Sequence, residues 1–360
     1  MKKIGKILLW IVVILIGLPL AFLLFFWVRN TLYLGSADQQ YTNYLDQNKE
    51  VLIEADRSAK DRGLLLDSTF YANQVFLLGE SHGLADVQKI DQLLLLHLHQ
   101  RAGLKYYIAE IDSLRADMLN RFLSETPKND GLLKQFVRDI ALRIPQQSSR
   151  QLYDKWSEIY DYNSRQPDSL KITVLGLDTD FDQNGYNRDS FMLVNFERII
   201  QEKGLQNEKF YGLFGYFHVL QSPVSSFTLP FAARLKTSGL EAGQHIQSMI
   251  CYSVDSEIYL PENESYPTPP DKRLDILNSD GPLMLVKGIN DLKKVTTPHT
   301  VTLFKLDNTS SPYRQSQQLA ETRVNLVGQD LRPAQQDLST TDFFQYVLLI
   351  RNSQALSPLQ

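Results

Sequence analysis

The chain of 360 residues has almost none of the residues that build disulfides and sulfur-ligated metal sites. Cys251 is its only cysteine, so no disulfide can form within the chain, and cysteine-based zinc sites and Cys-Cys redox chemistry are excluded. Histidines number six. A metal ion would therefore have to be held by His, Asp and Glu side chains.

The chain also lacks an excess of positive charge. Four of the 37 Lys and Arg residues lie in the first thirty positions, and the remaining 33 are outnumbered by 41 Asp and Glu, which gives residues 31–360 a net charge of −8. Nucleic acids and anionic membrane surfaces require clustered positive charge on the protein that binds them. The charge balance therefore argues against nucleic acid as a partner. The sequence also has no internal repeat of fixed period and no low-complexity run.

A long uncharged hydrophobic segment lies near the N-terminus. Ile7–Val28 contains 22 residues without a charged or polar side chain, and as a helix it would be ~33 Å long, enough to cross the core of a bilayer. Lys2, Lys3 and Lys6 precede it and only Arg29 follows closely, so the positive-inside rule places the N-terminus in the cytoplasm. A cleaved signal peptide is the alternative, but its apolar region would span only ~7–15 residues. We expect a single-pass anchor in the cell membrane, with the rest of the chain outside the cytoplasm.

The anchor comprises residues 1–30. The sequence after it divides into a polar segment and a larger domain. Residues 31–72 are mixed and polar with a helical pattern around Gln40–Arg62, which predicts a helical stalk. From residue 73 onwards, helical patterns alternate with short apolar runs typical of strands: Gln74–Leu78, Tyr106–Ala109, Ile172–Leu177, Phe210–Phe214, Ile246–Val254, Val301–Leu306 and Phe344–Ile350. The alternation predicts one α/β domain over 73–360, with a mixed, largely parallel sheet flanked by helices.

Polar side chains follow the carboxyl ends of several predicted strands. An isolated histidine or glutamate at such a position is usually structural or simply part of the surface. In open parallel sheets, however, ligands bind at the edge where the carboxyl ends of the strands meet. We therefore expect one functional cleft formed by Glu80, His82, Glu110, Asp178, Asp180 and His218.

The sequence GESHG at Gly79–Gly83 places two titratable groups on a glycine-bounded turn between a predicted strand and a helix. In one interpretation, His82 is a general base that activates water, and Glu80 orients it or shares its proton. The plainer interpretation, in which these residues only cap the following helix, explains Ser81 well but explains His82 poorly.

The same five residues also match G-x-S-x-G, the nucleophile elbow of serine hydrolases, with Ser81 attacking an acyl carbon. A triad of Ser81, Asp178 and then His218 or His299 is formally available in that order. No histidine-containing oxyanion segment precedes the motif, although such hydrolases usually carry one. We therefore favour water activation and expect Ser81 to contact the substrate.

Residues 178–182 begin like a calcium loop, with acidic residues at the first, third and fifth positions. The pattern fails at position six, where Gln183 replaces the glycine, and at position twelve, where Asp189 replaces the glutamate. We expect no calcium there and interpret Asp178 and Asp180 as side chains that line the substrate site.

Four segments, LLGESHG, YYIAEID, LGLDTD and LFGYFHV, resemble in their order and spacing the motif set of the erythromycin esterase family and its superfamily. The resemblance covers roughly residues 73–255. The superfamily also includes haem-uptake lipoproteins and membrane-anchored metalloproteases that clip secreted signalling proteins. In the esterases the first motif looks like Gly-Glu-x-x-His-Gly, one residue longer than here, and the shorter form is closer to the haem-uptake branch. The resemblance implies catalytic roles for Glu80, His82, Glu110 and His218.

We therefore expect a hydrolase that cleaves an ester or similar acyl bond of a small molecule. His82 would activate water, Glu80 and Glu110 would orient the base and handle protons, and His218 would polarise the carbonyl or protonate the leaving group. Two alternatives stay open. The histidines and carboxylates could hold a divalent metal such as manganese, cobalt or zinc, or the domain could bind haem or another small ligand without catalysis.

Overall fold

The computed structural model describes residues 2–54, 65–181, 187–224, 229–262, 268–325 and 328–359. Its helices are α1 (Lys2–Leu34), α2 (Gln39–Gln47), α3 (Ser68–Tyr71), α4 (Ala85–Ala102), α5 (Ser113–Ser124), α6 (Asp130–Ile140), α7 (Arg150–Asn163), α8 (Arg188–Lys203), α9 (Phe231–Thr237) and α10 (Ile289–Lys294). Its strands are β1 (Lys49–Glu54), β2 (Val75–Glu80), β3 (Tyr106–Ala109), β4 (Thr173–Gly176), β5 (Phe210–Gly215), β6 (Ile246–Val254), β7 (Ile258–Tyr259), β8 (Arg273–Leu274), β9 (Leu277–Asn278), β10 (Gly281–Pro282), β11 (Met284–Val286), β12 (Thr300–Lys305), β13 (Thr322–Val324) and β14 (Tyr346–Arg351).

Eight of these strands form one sheet in the order β1-β12-β14-β6-β2-β5-β3-β4. The six strands from β14 to β4 are parallel, whereas β12 runs antiparallel to both of its neighbours. Each of the seven strands expected from the sequence is present within two residues of its predicted bounds. The predicted fold class, a mixed and largely parallel sheet flanked by helices, is confirmed.

The core lies on both faces of this sheet, because apolar residues occupy both sides of the central strands. In β2, Phe76 and Leu78 point to the face covered by α4–α7, and Val75 and Leu77 point to the face covered by α8–α10. Successive side chains of a strand alternate between faces, so a continuous apolar run such as VFLL can only be buried between two layers of helices.

The segment between α1 and the sheet differs from the predicted stalk. The helix expected around Gln40–Arg62 is the shorter α2, which is followed directly by the strand β1. Residues 55–64 lie outside the described part of the chain. β1 pairs with β12 as the edge of the main sheet, and Leu52 is buried there. The backbone N–H and C=O groups at the edge of β12 provide hydrogen-bond partners for β1. A local helical pattern in the sequence does not reveal such distant partners.

The N-terminal helix α1 contains an apolar segment of membrane-spanning length. Within the described residues, Val13–Leu34 is long and apolar enough to cross a bilayer. Its large apolar side chains, among them Leu15, Leu18 and Leu23, are largely exposed. A helix that is apolar on all sides is normally buried, either in a protein core or in a membrane.

Candidate active site

Three neighbouring strands end at the candidate site. β2, β5 and β3 are adjacent and parallel, so their carboxyl ends lie at the same edge of the sheet. Glu80 is the last residue of β2, Gly215 is the last residue of β5, and Glu110 directly follows β3. The topology therefore brings the first, second and fourth motifs of the sequence together.

The first motif requires two glycines, one because of close packing within β2 and the other because of the turn after it. A Cβ atom at Gly79 would lie 2.4 Å from Cγ2 of Val219, so no larger residue fits at this position. Gly83 has a φ of +107°, a conformation that strains any residue with a side chain. The turn brings Nδ1 of His82 to 3.0 Å from Oε1 of Glu80.

His82 is oriented by this buried carboxylate. Burial lowers the pKa of His82, but the Glu80 carboxylate outweighs it and holds that pKa above its usual value. The side-chain amide of Gln147, in the loop between α6 and α7, donates a hydrogen bond to the same Oε1 and lies 3.3 Å from Nδ1 of His82. With Nδ1 held at Glu80, Nε2 of His82 remains available to accept a proton.

His218 forms a second histidine–carboxylate pair. It lies in the short 3₁₀ turn Tyr216–Val219 that follows β5. Its Nδ1 is 2.7 Å from Oδ1 of Asp189, in the first turn of α8, and its Nε2 is 3.4 Å from Oε1 of Glu110. Burial lowers the pKa of His218, but Glu110 and Asp189 outweigh it and raise that pKa well above its usual value. His218 is therefore held as a cation at neutral pH.

His82, His218 and Glu110 meet around Gly215. A Cβ atom at Gly215 would lie 3.4 Å from Nε2 of His82, 3.5 Å from Cδ2 of His218 and 3.6 Å from Oε2 of Glu110. The backbone N–H of Gly215 donates a hydrogen bond of 2.8 Å to Glu110. Because glycine has no side chain, the space between the two imidazoles stays open, and a small reactant there can contact all three groups.

One guanidinium holds Glu110 and Asp178. Nη2 of Arg188 lies 2.6 Å from Oε1 of Glu110 and 2.5 Å from Oδ2 of Asp178. Burial opposes ionisation of Glu110, but His218 and Arg188 hold its pKa well below the usual range. Glu110 is therefore an anion, whereas Asp178 supports the site through Arg188.

Asp180 lies at the surface beyond this network, and Arg143 donates a hydrogen bond of 2.7 Å to its backbone oxygen. Asp180 lines a cavity of about 200 Å³ together with Asp178 and Phe191. It also lines a larger cavity of about 530 Å³, whose other lining residues are Leu114, Arg115, Leu142 and Phe181. Asp180 is thus placed beside open space rather than beside the two imidazoles.

The serine triad available in the sequence is not assembled. The side chain of Ser81 makes no hydrogen bond to the described residues, although it lies between Glu80 and His82 in the turn. Asp178 is paired with Arg188 rather than with a histidine. His299 lies in an exposed turn before β12, three strands away from β2.

Across the described ranges, no three His, Cys, Asp or Glu side chains are grouped so that they could hold a metal ion. The middle of the calcium-like pattern, residues 182–186, lies outside those ranges, so its expected lack of calcium stays a prediction. At the last position of the pattern, Asp189 contacts His218 and accepts a hydrogen bond of 2.6 Å from the backbone N–H of Phe231.

Sequence reasoning missed three residues of the site: Gln147, Arg188 and Asp189. Gln147 lies in a loop without a recognisable motif, 67 positions from its partner Glu80. Arg188 and Asp189 begin a helix in the segment examined for calcium ligands. The adjacent basic and acidic residues Arg188 and Asp189 at a helix start were the available signal, but they did not identify His218 as the partner of Asp189.

No family model matches the sequence, and no curated protein matches it. Solved structures do match its fold. A crystal structure of a protein from Bacillus cereus has a TM-score of 0.63 and 12% identity, over 89% of this chain and 99% of that one. A succinoglycan biosynthesis protein has a TM-score of 0.58 and 12% identity, over 89% and 98%. A mutant of the erythromycin esterase EreC in its open conformation has a TM-score of 0.54 and 11% identity, over 79% and 92%. The chain is therefore similar in fold to an erythromycin esterase.

Proposed function

We propose that this chain is a membrane-anchored hydrolase that cleaves an ester or similar acyl bond with water activated by His82. The convergence of His82, His218 and Glu110 on the open position at Gly215 carries this proposal. Each imidazole binds a carboxylate through Nδ1, and Nε2 of His82 and Cδ2 of His218 border the same space. General acid–base catalysis of hydrolysis can use such a pair, with the neutral imidazole as the base and the charged one as the acid.

In the proposed reaction, the neutral form of His82 takes a proton from water through Nε2 while the water oxygen bonds to the acyl carbon. The oxyanion that develops is stabilised by the nearby cations of His218 and Arg188. The tetrahedral intermediate collapses when the bond to the leaving oxygen breaks, and His218 gives that oxygen a proton. Exchange with solvent then returns a proton to His218 and removes one from His82.

The carboxylates orient the base and keep the acid charged. Glu80 fixes the tautomer of His82 by accepting its Nδ1 hydrogen, and Gln147 holds Glu80 in place. Glu110 and Asp189 keep His218 charged before the leaving group departs. This division gives each histidine a separate task, as a base and as an acid.

The cavity of about 530 Å³ supports a substrate with an apolar part. Its lining includes the exposed side chains of Leu114 and Leu142 and the buried ring of Phe181, and the guanidiniums of Arg115 and Arg143 lie 4.8 and 5.4 Å from the centre of that ring. Its volume is within the ~300–1,000 Å³ typical of small-molecule sites. Nε of Arg143, whose guanidinium lies over the Phe181 ring, is 4.0 Å from Oδ2 of Asp178. The likeness in fold to an erythromycin esterase also supports hydrolysis of a small ester.

The test compares Ser81→Ala with His82→Ala on an ester substrate found by screening. If His82 activates water, Ser81→Ala should retain turnover within about tenfold of the wild type, whereas losing the base should lower it ~10²- to 10⁴-fold. Thermal melting of both variants checks that they are folded. A folded but inactive Ser81→Ala enzyme, together with loss of an acyl-enzyme burst, would overturn the proposal in favour of a serine nucleophile.

Haem titration and membrane topology test the rest of the proposal. A Soret shift on adding haem to the purified chain, without ester turnover, would favour the binding alternative. The apolar segment of α1 and the basic residues before it support an N-terminus in the cytoplasm. A fusion of alkaline phosphatase after Gln360 should therefore be active, and an inactive fusion would contradict this orientation.

A further inference from the structure

The end of α1 is bound to the domain by direct contacts. Asn30 Nδ2 donates a hydrogen bond of 3.1 Å to the backbone oxygen of Pro282, and Asn325 Nδ2 donates one of 3.1 Å to Oδ1 of Asn30. Arg29 donates to the same Asn325 side chain at 3.1 Å. Asn30 and Asn325 are both buried by this packing.

Two further contacts lie beyond this cluster. The guanidinium of Arg323 in β13 stacks over the ring of Tyr33, 4.0 Å from its centre. Asn290 Nδ2, in α10, donates a hydrogen bond of 2.7 Å to the backbone oxygen of Gly35. Since contacts follow one another from Arg29 to Gly35, the direction in which α1 leaves the domain is fixed.

These contacts leave a groove of about 720 Å³ between α1 and the loop 280–283. The walls of the groove are mainly apolar and include Phe22, Leu23, Phe26 and Trp27 of α1 and Pro282 and Leu283 of the loop. The polar residues of α1 lie at one end of the groove, near Asn30. The aromatic residues of α1 extend from there toward the middle of the helix.

The depth of the groove in a membrane follows from the positions along α1 of the residues that line it. Val28 is the last residue of the uncharged run, and Phe22 lies six residues earlier, which places it ~9 Å deeper along the helix. One leaflet of a bilayer has a hydrocarbon depth of ~15 Å. If α1 crosses a membrane, the groove therefore opens into the outer part of the leaflet at the Arg29 end of the helix.

We propose that the loop 280–283 enters the membrane surface beside α1 and that the groove binds an acyl chain of a phospholipid. This inference rests on the proposed membrane anchoring. The wall of the groove is the spanning helix itself, so hydrocarbon surrounds the groove and lines its open side. Water cannot fill an apolar groove at that depth. If the groove were empty, the side chains of both walls would lose the dispersion contacts that an occupant provides. An acyl chain satisfies both walls.

The test places a fluorescent label on the loop of the full chain in phospholipid vesicles. Leu283→Cys carries the label, with Pro282→Cys as a second site in case the first variant does not fold. Leu24→Cys on the exposed side of α1 is the positive control, and Leu142→Cys on the exposed surface of the domain is the negative control. Burial raises the pKa of the native Cys251 thiol well above its usual value, so it should not react, and labelling of the wild type checks this.

Phospholipids with a nitroxide on the acyl chain are then used as quenchers. We expect the labels at positions 24 and 283 to be quenched to a similar extent and the label at position 142 to be unaffected. Quenching at 24 without quenching at 282 or 283 would overturn the inference and leave the anchor intact. No quenching at 24 would refute the anchor, and the inference with it. Pyrene at position 283 that gives excimer emission would show a second copy in the groove and would also overturn the inference.

Discussion

Oδ1 of Asp189 lies 2.7 Å from Nδ1 of His218 and also accepts a hydrogen bond of 2.6 Å from the backbone N–H of Phe231. One carboxylate oxygen thus joins the start of α8, the turn that carries His218 and the start of α9. It orients the imidazole and, with Glu110, keeps it charged.

Asp189→Asn should impair His218, the proposed general acid, while preserving the fold. The amide oxygen still accepts a hydrogen bond, but the loss of negative charge lowers the pKa of His218. We expect kcat to fall about 10- to 100-fold, as for other residues that orient a catalytic group, and the alkaline limb of the pH profile to move to lower pH. An unchanged alkaline limb in a folded variant would show that Asp189 has only a structural role.

The pH dependence of kcat/KM should be bell-shaped. Activity rises with pH as His82 loses its proton, and because the pKa of His82 is raised, this limb should lie above the usual histidine value of 6.5. Activity falls again as His218 loses its proton, and the raised pKa of His218 places that limb at alkaline pH. Rates measured across the range at constant ionic strength test this, and an optimum on the acid side of 6.5 would contradict the roles assigned to the two histidines.

Gln147 is expected to act as a positioning residue for the base. In Gln147→Ala, Glu80 loses a hydrogen-bond donor, so its charge acts more strongly on His82 and the acid limb of the pH profile should move to higher pH. Misplacement of the base should also lower kcat/KM, by about 10- to 100-fold. Gln146→Ala changes the neighbouring glutamine and is the matched control. Equal effects of the two substitutions would refute the specific role.

The buried pair of Lys155 and Asp91 should contribute to stability. Nζ of Lys155 lies 2.6 Å from Oδ2 of Asp91, both side chains are buried, and Tyr107 also donates to Asp91. Lys155→Met leaves the carboxylate without its cation and should lower the free energy of unfolding by ~3–5 kcal/mol. Adding Asp91→Leu should recover part of this loss. Chemical denaturation of the single and double variants measures both, and a single variant as stable as the wild type would contradict the prediction.

The apolar side chains of Leu114, Leu142 and Phe181 in the cavity of about 530 Å³ predict a preference for esters with longer acyl chains. Each methylene that becomes buried should raise kcat/KM about fourfold, corresponding to ~0.8 kcal/mol, until the cavity is filled. Leu142→Asn should flatten this dependence and leave the acetate ester unaffected. Leu170→Asn, another exposed leucine outside the cavity, is the control. Turnover without any dependence on chain length would leave the hydrolase proposal intact but would refute the role of the cavity.

The sequence by itself determined most of the elements that carry the site. Continuous apolar runs such as Tyr106–Ala109 and helical patterns such as the one after Gly83 are local signals, and they predicted strands and helices close to those observed. The rule that parallel strands share one carboxyl edge then placed Glu80, Glu110 and His218 near each other.

Only the tertiary structure decided how these residues are paired. Whether His218 binds Asp189 or Asp178 depends on where α8 begins relative to β5, and Gln147 reaches Glu80 only because α7 packs against α4. β1 became a strand because β12 offered it an unpaired edge. Hydrogen bonds and ion pairs act over a few ångströms between residues far apart in the chain, so periodicity cannot encode them. The local pattern fixes which face of an element is buried, and the packing of elements fixes which atoms meet.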